Sequence, residues 1–483
     1  MPRDRRIYLG LIVLAYLVVA FLYALYTPRW QVPDEPAHYN YIREVAEHGR
    51  LPVLRLGDYD QAYLEMIKAR RFPPDLAIDP IRYESYQPPL YYLLAAPLYR
   101  LTGGALLPLR LFSVALGGLL LLLTEAVARA AFPRRPDLAL GATAFVAFLP
   151  QHVAMMAGVN NDALAEVLIA ATLLLLVKHL RSDKKMRAWK ELVALGALLG
   201  LGLLTKGSAY VLLPLTAIAV FWRWWCVRRG AWRDLAGKAA AVFIPALALG
   251  LPWWLRNMAL YGPGDFLGKR WHDTVVVNQP RTAEWLAEMG LPALLHAGLA
   301  TTFRSFWGQF GWMGVLMDER IYLALAVLSL VAACGLFLAL PRALRNRDYV
   351  PSVALFALLF MFSLSLYIWY NLTFVQHQGR YLFPALVPAA MGFAAGLSEA
   401  LQPKGARRTA LCLLVALLLL VIWDVLTGKG SQWLMAMLAG AAGALWFISF
   451  LRPNLRTLAY GLTFVALAFL DLLALFAFIV PQL

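Results

Sequence analysis

The chain has 483 residues, of which 61% are hydrophobic and 15% charged, with a mean hydropathy of +0.63. That composition excludes a soluble globular protein and describes an integral membrane one. Forty-four Lys and Arg against 28 Asp and Glu leave a formal charge of +16, but the basic residues gather in short links between apolar runs. This is the positive-inside pattern, and no nucleic-acid signature accompanies it.

Met1 to Arg6 carries three arginines ahead of the apolar run Ile7 to Tyr26, and no small-residue cleavage site follows. The segment reads as a retained signal-anchor with a cytoplasmic N-terminus. Later spans are expected near Leu106 to Ala131, Leu138 to Met156, Ala163 to Leu180, Trp189 to Thr205, Ser208 to Trp224 and Ala239 to Arg256. Others follow near Ile321 to Leu340, Val350 to Tyr370, Tyr381 to Ala400, Thr409 to Leu426, Trp433 to Leu451 and Thr457 to Val480. The fold class is therefore all-α, a polytopic membrane protein with about 13 transmembrane helices. With this count the basic links (Arg129 to Arg135, Lys178 to Lys190, Arg223 to Lys238, Arg342 to Arg347, Lys404 to Arg408) all fall on the cytoplasmic side.

Two long polar segments, Thr27 to about Gln87 and Asn257 to about Arg320, fall on the outer side and are too long to be idle connections. In the first, Pro36 marks a helix start, and the pattern Ala37, Tyr41, Val45 predicts an amphipathic helix lying on the membrane surface. Tyr59 to Arg70 is a second such stretch. Gln87 to Leu101, short and interrupted by prolines, reads as a helix dipping into the interface. Cys226, Cys334 and Cys412 lie in or at the ends of apolar runs and read as small buried hydrophobes.

This topology brings the chemically capable side chains to one surface. Asp34, Glu35 and His38 lie just beyond the first span, Glu84 and Gln87 end the loop, and Gln151 to Asp162 forms an outer turn. Lys206, Arg256, His272, Gln309, His377, Gln378 and Arg380 fall at outer ends. Two prolines stiffen Pro33-Asp34-Glu35-Pro36 and hold the carboxylates near the membrane, where partial desolvation suits a general base. Asp34 is also placed to cap the helix that follows, and Asn160-Asn161-Asp162 to cap a later span. Glu166, one turn into the membrane, requires a partner, and His152 lies across the same turn. Asp34, His152 and Asp162 could together bind a divalent cation, although their spacing specifies no metal. Lys206 and Arg380 suit a phosphate at headgroup depth or snorkelling to the interface. Trp307, Gln309 and Trp312 fit either an aromatic belt or a groove for a sugar or isoprenoid. Asp471, in the middle of the last span, stands without a basic partner.

The ordered set Pro33-Asp34-Glu35-Pro36-Ala37-His38, Gln87-Pro88-Pro89-Leu90-Tyr91-Tyr92, Asn161-Asp162, Leu204-Thr205-Lys206-Gly207 and Gly379-Arg380-Tyr381-Leu382-Phe383-Pro384 resembles the GT-C superfamily of membrane glycosyltransferases. Within it, the chain looks most like bacterial relatives of protein O-mannosyltransferases and lipid A aminoarabinose transferase. Gln87 departs from the His or Lys usual before the Pro-Pro pair in better-known relatives. The resemblance implies a GT-C-like catalytic module over residues 1–400, including outer loops 27–87 and 257–320, followed by C-terminal transmembrane helices over 401–483.

It further implies transfer of a sugar, hexosyl or pentosyl, from a polyprenyl-phosphate-linked donor to a hydroxyl of a lipid, glycan or protein acceptor. The reaction would run with inversion at the outer face of the cytoplasmic membrane of a bacterial cell envelope. Asp34 carries over as the general base, with Glu35 and Asp162 as further catalytic acids. Lys206, Arg380 and Arg256 would hold the donor phosphate; His38, Gln87, Trp307, Gln309, Trp312 and His377 would form the substrate groove. No cofactor is implied for certain, a divalent cation being compatible. A transporter or lipid flippase, or an O-antigen ligase or polymerase, is the alternative that the same hydropathy allows.

Overall fold

The computed structural model describes residues 2–181, 189–227 and 231–483. Met1 and parts of two basic links, residues 182–188 and 228–230, lie outside the described residues. The helices in chain order are α1 (Pro2–Tyr26), α2 (Glu35–His48), α3 (Gln61–Ala69), α4 (Leu90–Thr102), α5 (Leu106–Ala131), α6 (Pro136–Ala147) and α7 (Pro150–Met156). Then come α8 (Asp162–Arg181), α9 (Trp189–Leu203), α10 (Leu212–Val227), α11 (Trp232–Tyr261), α12 (Lys269–Val275) and α13 (Thr282–Trp307). The last are α14 (Glu319–Arg345), α15 (Val350–Asn371), α16 (Leu386–Ala400), α17 (Pro403–Thr427), α18 (Gln432–Ile448) and α19 (Pro453–Leu473). The described β-structure is one short antiparallel pair, Gln309–Phe310 with Val315–Leu316, and an isolated bridge between Arg281 and Phe374.

The protein is an all-α polytopic membrane protein. Ten described helices are long and apolar enough to cross a bilayer, eleven if α6 and α7 are one bent span. Reaching thirteen requires α9 and α18, which have 15 and 17 residues. The expected straight span Leu138 to Met156 is broken instead, its halves bent by 63°. Pro150 causes the break, since it lacks an N–H and holds Leu149 in an extended conformation (φ −92°, ψ 109°). Large apolar side chains on α17 and α19, such as Leu418, Trp423, Val465 and Phe469, are exposed and form the lipid-facing surface. Cys226 and Cys412 also lie exposed, contrary to their expected burial.

Helix packing relies on small residues, as expected where lipid supplies no hydrophobic drive between helices. A Cβ at Gly396 of α16 would lie 1.9 Å from the Ala332 carbonyl oxygen of α14, so these helices meet backbone to backbone. The C-terminal helices are tied into the same body. The Tyr23 hydroxyl of α1 donates to the Asp471 carbonyl at 2.8 Å, and Tyr460 donates to the Asp137 carbonyl at 3.1 Å.

Ten of the 14 residues of α2 are buried, including Glu35, His38, Asn40 and Glu44. The helix is enclosed by protein instead of lying on a membrane surface. Its Tyr41 ring stacks on Tyr92 of α4 at 3.6 Å, and the Asn40 amide donates to the carbonyls of Ile78 and Ile81. At its start, Arg110 of α5 spends all five guanidinium N–H groups on buried acceptors. Two bonds go to the Glu35 carboxylate (2.8 and 2.7 Å), and three go to the carbonyls of Ala24, Thr27 and Pro28. Glu35 also accepts from the backbone N–H groups of Trp30 and Val159. One ion pair thus joins the end of α1, the first loop, α5 and the turn before α8.

Arg110→Met should cost about 3–5 kcal/mol, because Glu35 is left charged and buried without its cation. Adding Glu35→Leu should recover much of that loss, read as the thermal unfolding midpoint in detergent. A double variant no better than the single one would show that the bonds to the carbonyls dominate.

Candidate active site

A cavity of about 670 Å³ opens where the first loop, the α8 and α10 ends, α11, α12 and the α15–α16 link converge. Asp34, His38, Gln87, Asp162, Lys206, Trp312 and Arg380 all line it.

Asp34 enters through a tight turn. The Val32 carbonyl accepts from the Glu35 N–H at 3.2 Å, with Pro33 and Asp34 as central residues and Asp34 at φ 68°, ψ −5°. This is the position of a type II turn at which glycine is favoured. Asp34 occupies the cap position of α2 but makes no side-chain cap bond. Its Oδ1 accepts from the Tyr83 hydroxyl at 2.7 Å, and its Oδ2 from Arg380 Nη2 at 2.6 Å. Burial alone would raise its pKa, but the Arg380 charge, helped by His38 and the Tyr83 hydrogen bond, holds it below the usual carboxylate range.

Arg380 reaches Asp34 because Gly379 lets the chain pass against α13. A Cβ at Gly379 would meet the Phe306 backbone nitrogen at 2.4 Å, and the Gly379 N–H donates to Ser305 Oγ at 2.8 Å. Arg380 Nε donates to Gln378 Oε1. Beside this pair, Lys206 Nζ donates to Asp162 Oδ1 at 2.8 Å. Asp162 is available because Asn160 does the capping, its Oδ1 accepting from the N–H groups of Asp162 and Ala163. Asn161 donates to the Thr205 carbonyl, which draws the α8 start to the Lys206 turn.

His38 is buried, and its Nδ1 shares a 2.8 Å hydrogen bond with the Tyr92 hydroxyl. Burial, reinforced by Lys206, lowers its pKa to about 3, so the imidazole is neutral. Glu84 lines the same cavity; its Oε2 is shut from solvent and has no hydrogen-bond partner among the described residues. Burial and the nearby Asp34 charge push its pKa up, towards neutrality.

Other residues expected at the site are elsewhere. Glu35 points away from the cavity into Arg110, although it adjoins Asp34 in sequence. Arg256 is spent on the Pro52 and Leu51 carbonyls and the Trp253 ring. Trp307 is a core residue packed on Phe145 and Phe393. Gln309 turns inward, its amide donating to the Met313 carbonyl. His377 packs edge-on to Trp285 and against Gly298. Trp312 lines the cavity, its Nε1 donating to the Trp30 carbonyl. The expected Glu166 partner is His152, at 3.2 Å, which draws both away from Asp34 and Asp162. Among the described residues no group of three or more His, Cys, Asp or Glu side chains could hold a metal.

Tyr83, Tyr370, Tyr381 and Lys269 also line the cavity and are not among the residues expected there from the sequence. Lys269 lies beneath the rings of Tyr370 and Trp369, 5.1 and 5.4 Å from their centres. A cation on the outer side runs against the positive-inside bias, which marks Lys269 as much as Lys206, yet that bias cannot rank one cation among several in a polar loop.

The geometry defines a membrane protein with paired acids and bases around a cavity at helix ends, and its fold is that of a known class. The family model for dolichyl-phosphate-mannose-protein mannosyltransferase matches residues 86–249, about a third of the chain. The structure of ArnT from Cupriavidus metallidurans bound to undecaprenyl phosphate is similar, with TM-score 0.51 and 16% identity over 98% of this chain and 73% of that one. The apo state of the same protein gives TM-score 0.51 at 16% identity, over 98% and 72%. The Archaeoglobus fulgidus oligosaccharyltransferase tethered with an acceptor peptide gives TM-score 0.48 and 14% identity, over 90% of this chain and 54% of that one, so the chain spans about half its length. No curated protein matches the sequence significantly. The chain resembles the GT-C membrane glycosyltransferases, as its motifs implied.

Because Asp34 titrates lower in the folded state than when unfolded, its ion pair contributes stability that is present above the ordinary carboxylate pKa. That stability is lost as pH falls through the folded value. The stability gap between wild type and Asp34→Asn should therefore close below about pH 4, measured as unfolding midpoints across a pH series. A gap independent of pH would remove the ion pair as its cause.

Proposed function

We propose that the protein transfers a sugar from a polyprenyl-phosphate-linked donor to an acceptor hydroxyl at the outer face of the cytoplasmic membrane. The N-terminus is then cytoplasmic, and residues 1–400 carry the chemistry while α17 to α19 complete the bundle. The observation that carries the reading is the convergence of Lys206 and Arg380, 174 residues apart in the chain, on one cavity lined by aromatic rings. Each cation is paired with a carboxylate and keeps N–H groups beyond that bond with which to take a phosphate oxygen. Arg380 offers the phosphate a planar pair of donors and Lys206 a compact charge. The gathering of these groups at helix ends, away from the midplane where transporters bind substrate, favours an enzyme over a transporter.

The acceptor oxygen attacks the anomeric carbon from the face opposite the phosphate, with inversion. The leaving polyprenyl phosphate needs no general acid, because the two cations stabilise its charge. With Tyr83 and Arg380 on its oxygens, Asp34 is a weak base. Its part is to orient the acceptor hydroxyl and Arg380.

Purified protein in lipid nanodiscs should bind undecaprenyl phosphate and turn over one member of a panel of synthetic polyprenyl-phosphate sugars. Lys206→Gln and Arg380→Gln should each weaken the binding about 10-fold or more, and Asp34→Asn should abolish turnover with folded yield unchanged. Wild-type protein blind to every polyprenyl phosphate would sink the reading.

A further inference from the structure

Proton balance leaves one requirement of this reading unmet. When the acceptor O–H attacks, the new bond from its oxygen to the anomeric carbon forms and the bond from that carbon to the phosphate oxygen breaks, the electron pair leaving with the phosphate. The hydroxyl proton needs a base inside the cavity. Asp34 has both oxygens engaged and is held below the usual carboxylate range, Asp162 accepts from Lys206, and His38 bonds Tyr92 through Nδ1 and is kept neutral by burial.

We infer that Glu84, on the turn between Tyr83 and Gln87, is the catalytic residue that takes the acceptor proton. The inference rests on the transferase reading above. Three observations support it. Glu84 lines the cavity, and its Oε2 is a buried acceptor without a partner among the described residues. It has no ion pair among the described residues, in contrast to Asp34 and Asp162. The turn that carries it also carries Tyr83, the donor to Asp34, so the two carboxylates are tied into one rigid unit.

The charged groups that face Glu84 are Asp34 from the first loop, Lys206 from the end of α9 and Arg380 from the α15–α16 link. Around them are the neutral phenols of Tyr83, Tyr86, Tyr92, Tyr370 and Tyr381, and the Gln87 amide. Asp34 and burial favour the protonated form, whereas the two cations and Gln87 favour the charged one. That balance suits a general base, which acts best when its own titration lies near the working pH. Once the bond to the anomeric carbon has formed, Glu84 holds the proton and gives it to water as product leaves.

The test has two arms. Infrared difference spectra of the full-length protein in lipid, taken between pH 5 and 9, should show a protonated carboxyl band that titrates in this range. The band should vanish in Glu84→Gln and persist, titrating at lower pH, in Asp34→Asn. This arm needs no substrate, and a spectrum without such a band overturns the proposal. In the second arm, Glu84→Gln should lower kcat about 100-fold or more, remove the acid limb of the pH–rate profile and leave binding of undecaprenyl phosphate unchanged. Glu84→Asp should restore part of the rate. Full turnover with an unaltered acid limb in Glu84→Gln would overturn the proposal while leaving the transferase reading intact; loss of undecaprenyl phosphate binding in wild type would overturn the transferase reading instead.

Discussion

The buried pair between Glu35 and Arg110 is the constraint on which the site depends. A guanidinium placed at the end of a membrane helix must satisfy five donors, and Arg110 does so by drawing in three carbonyls from the end of α1 together with the Glu35 carboxylate. This holds the first loop against α5 and directs the chain into the Pro33-Asp34 turn. Were Glu35 free to move, the Pro33-Asp34 turn would lose its tie to α5. The pair need not add net stability to do this, since the desolvation of two charges offsets much of their attraction. What it supplies is a unique arrangement.

From that anchor the cavity is assembled by exchange of partners between distant segments. Asp34 meets Arg380, Asp162 meets Lys206, and Asn160 relieves Asp162 of capping. Every cation on this wall is balanced by an acid, so the empty site is near neutral. A single phosphate arriving between Lys206 and Arg380 would share both cations with their carboxylates, coupling the binding of an anion to the state of the acids.

Much of this was legible in the sequence and some was not, for identifiable reasons. Apolar runs and basic links locate the helices because hydrocarbon leaves the backbone few alternatives. The motif positions Asp34, Asp162, Lys206 and Arg380 do share one cavity. Sequence proximity misled at Glu35: adjacent residues at a turn into a helix diverge, so two neighbouring carboxylates serve an ion pair and a cavity respectively. Aromatic composition misled at Trp307, where core and groove call for the same residue types. The Pro150 break was written in the sequence but masked by the hydropathy of its flanks. The role of Glu84 was hidden because burial and the absence of a partner are properties of the folded chain alone.

The left-handed backbone at Asp34 has a consequence for anyone who engineers this protein. A glycine there would relieve the turn of a strain of roughly 1 kcal/mol, but it would also remove the half-buried carboxylate that pairs with Arg380. At this one codon the relief of the turn is set against the loss of an ion pair that itself stabilises the fold. A library sorted only for folded yield reports the balance of turn and ion pair at this position, so selection for robustness must be coupled to a readout of turnover.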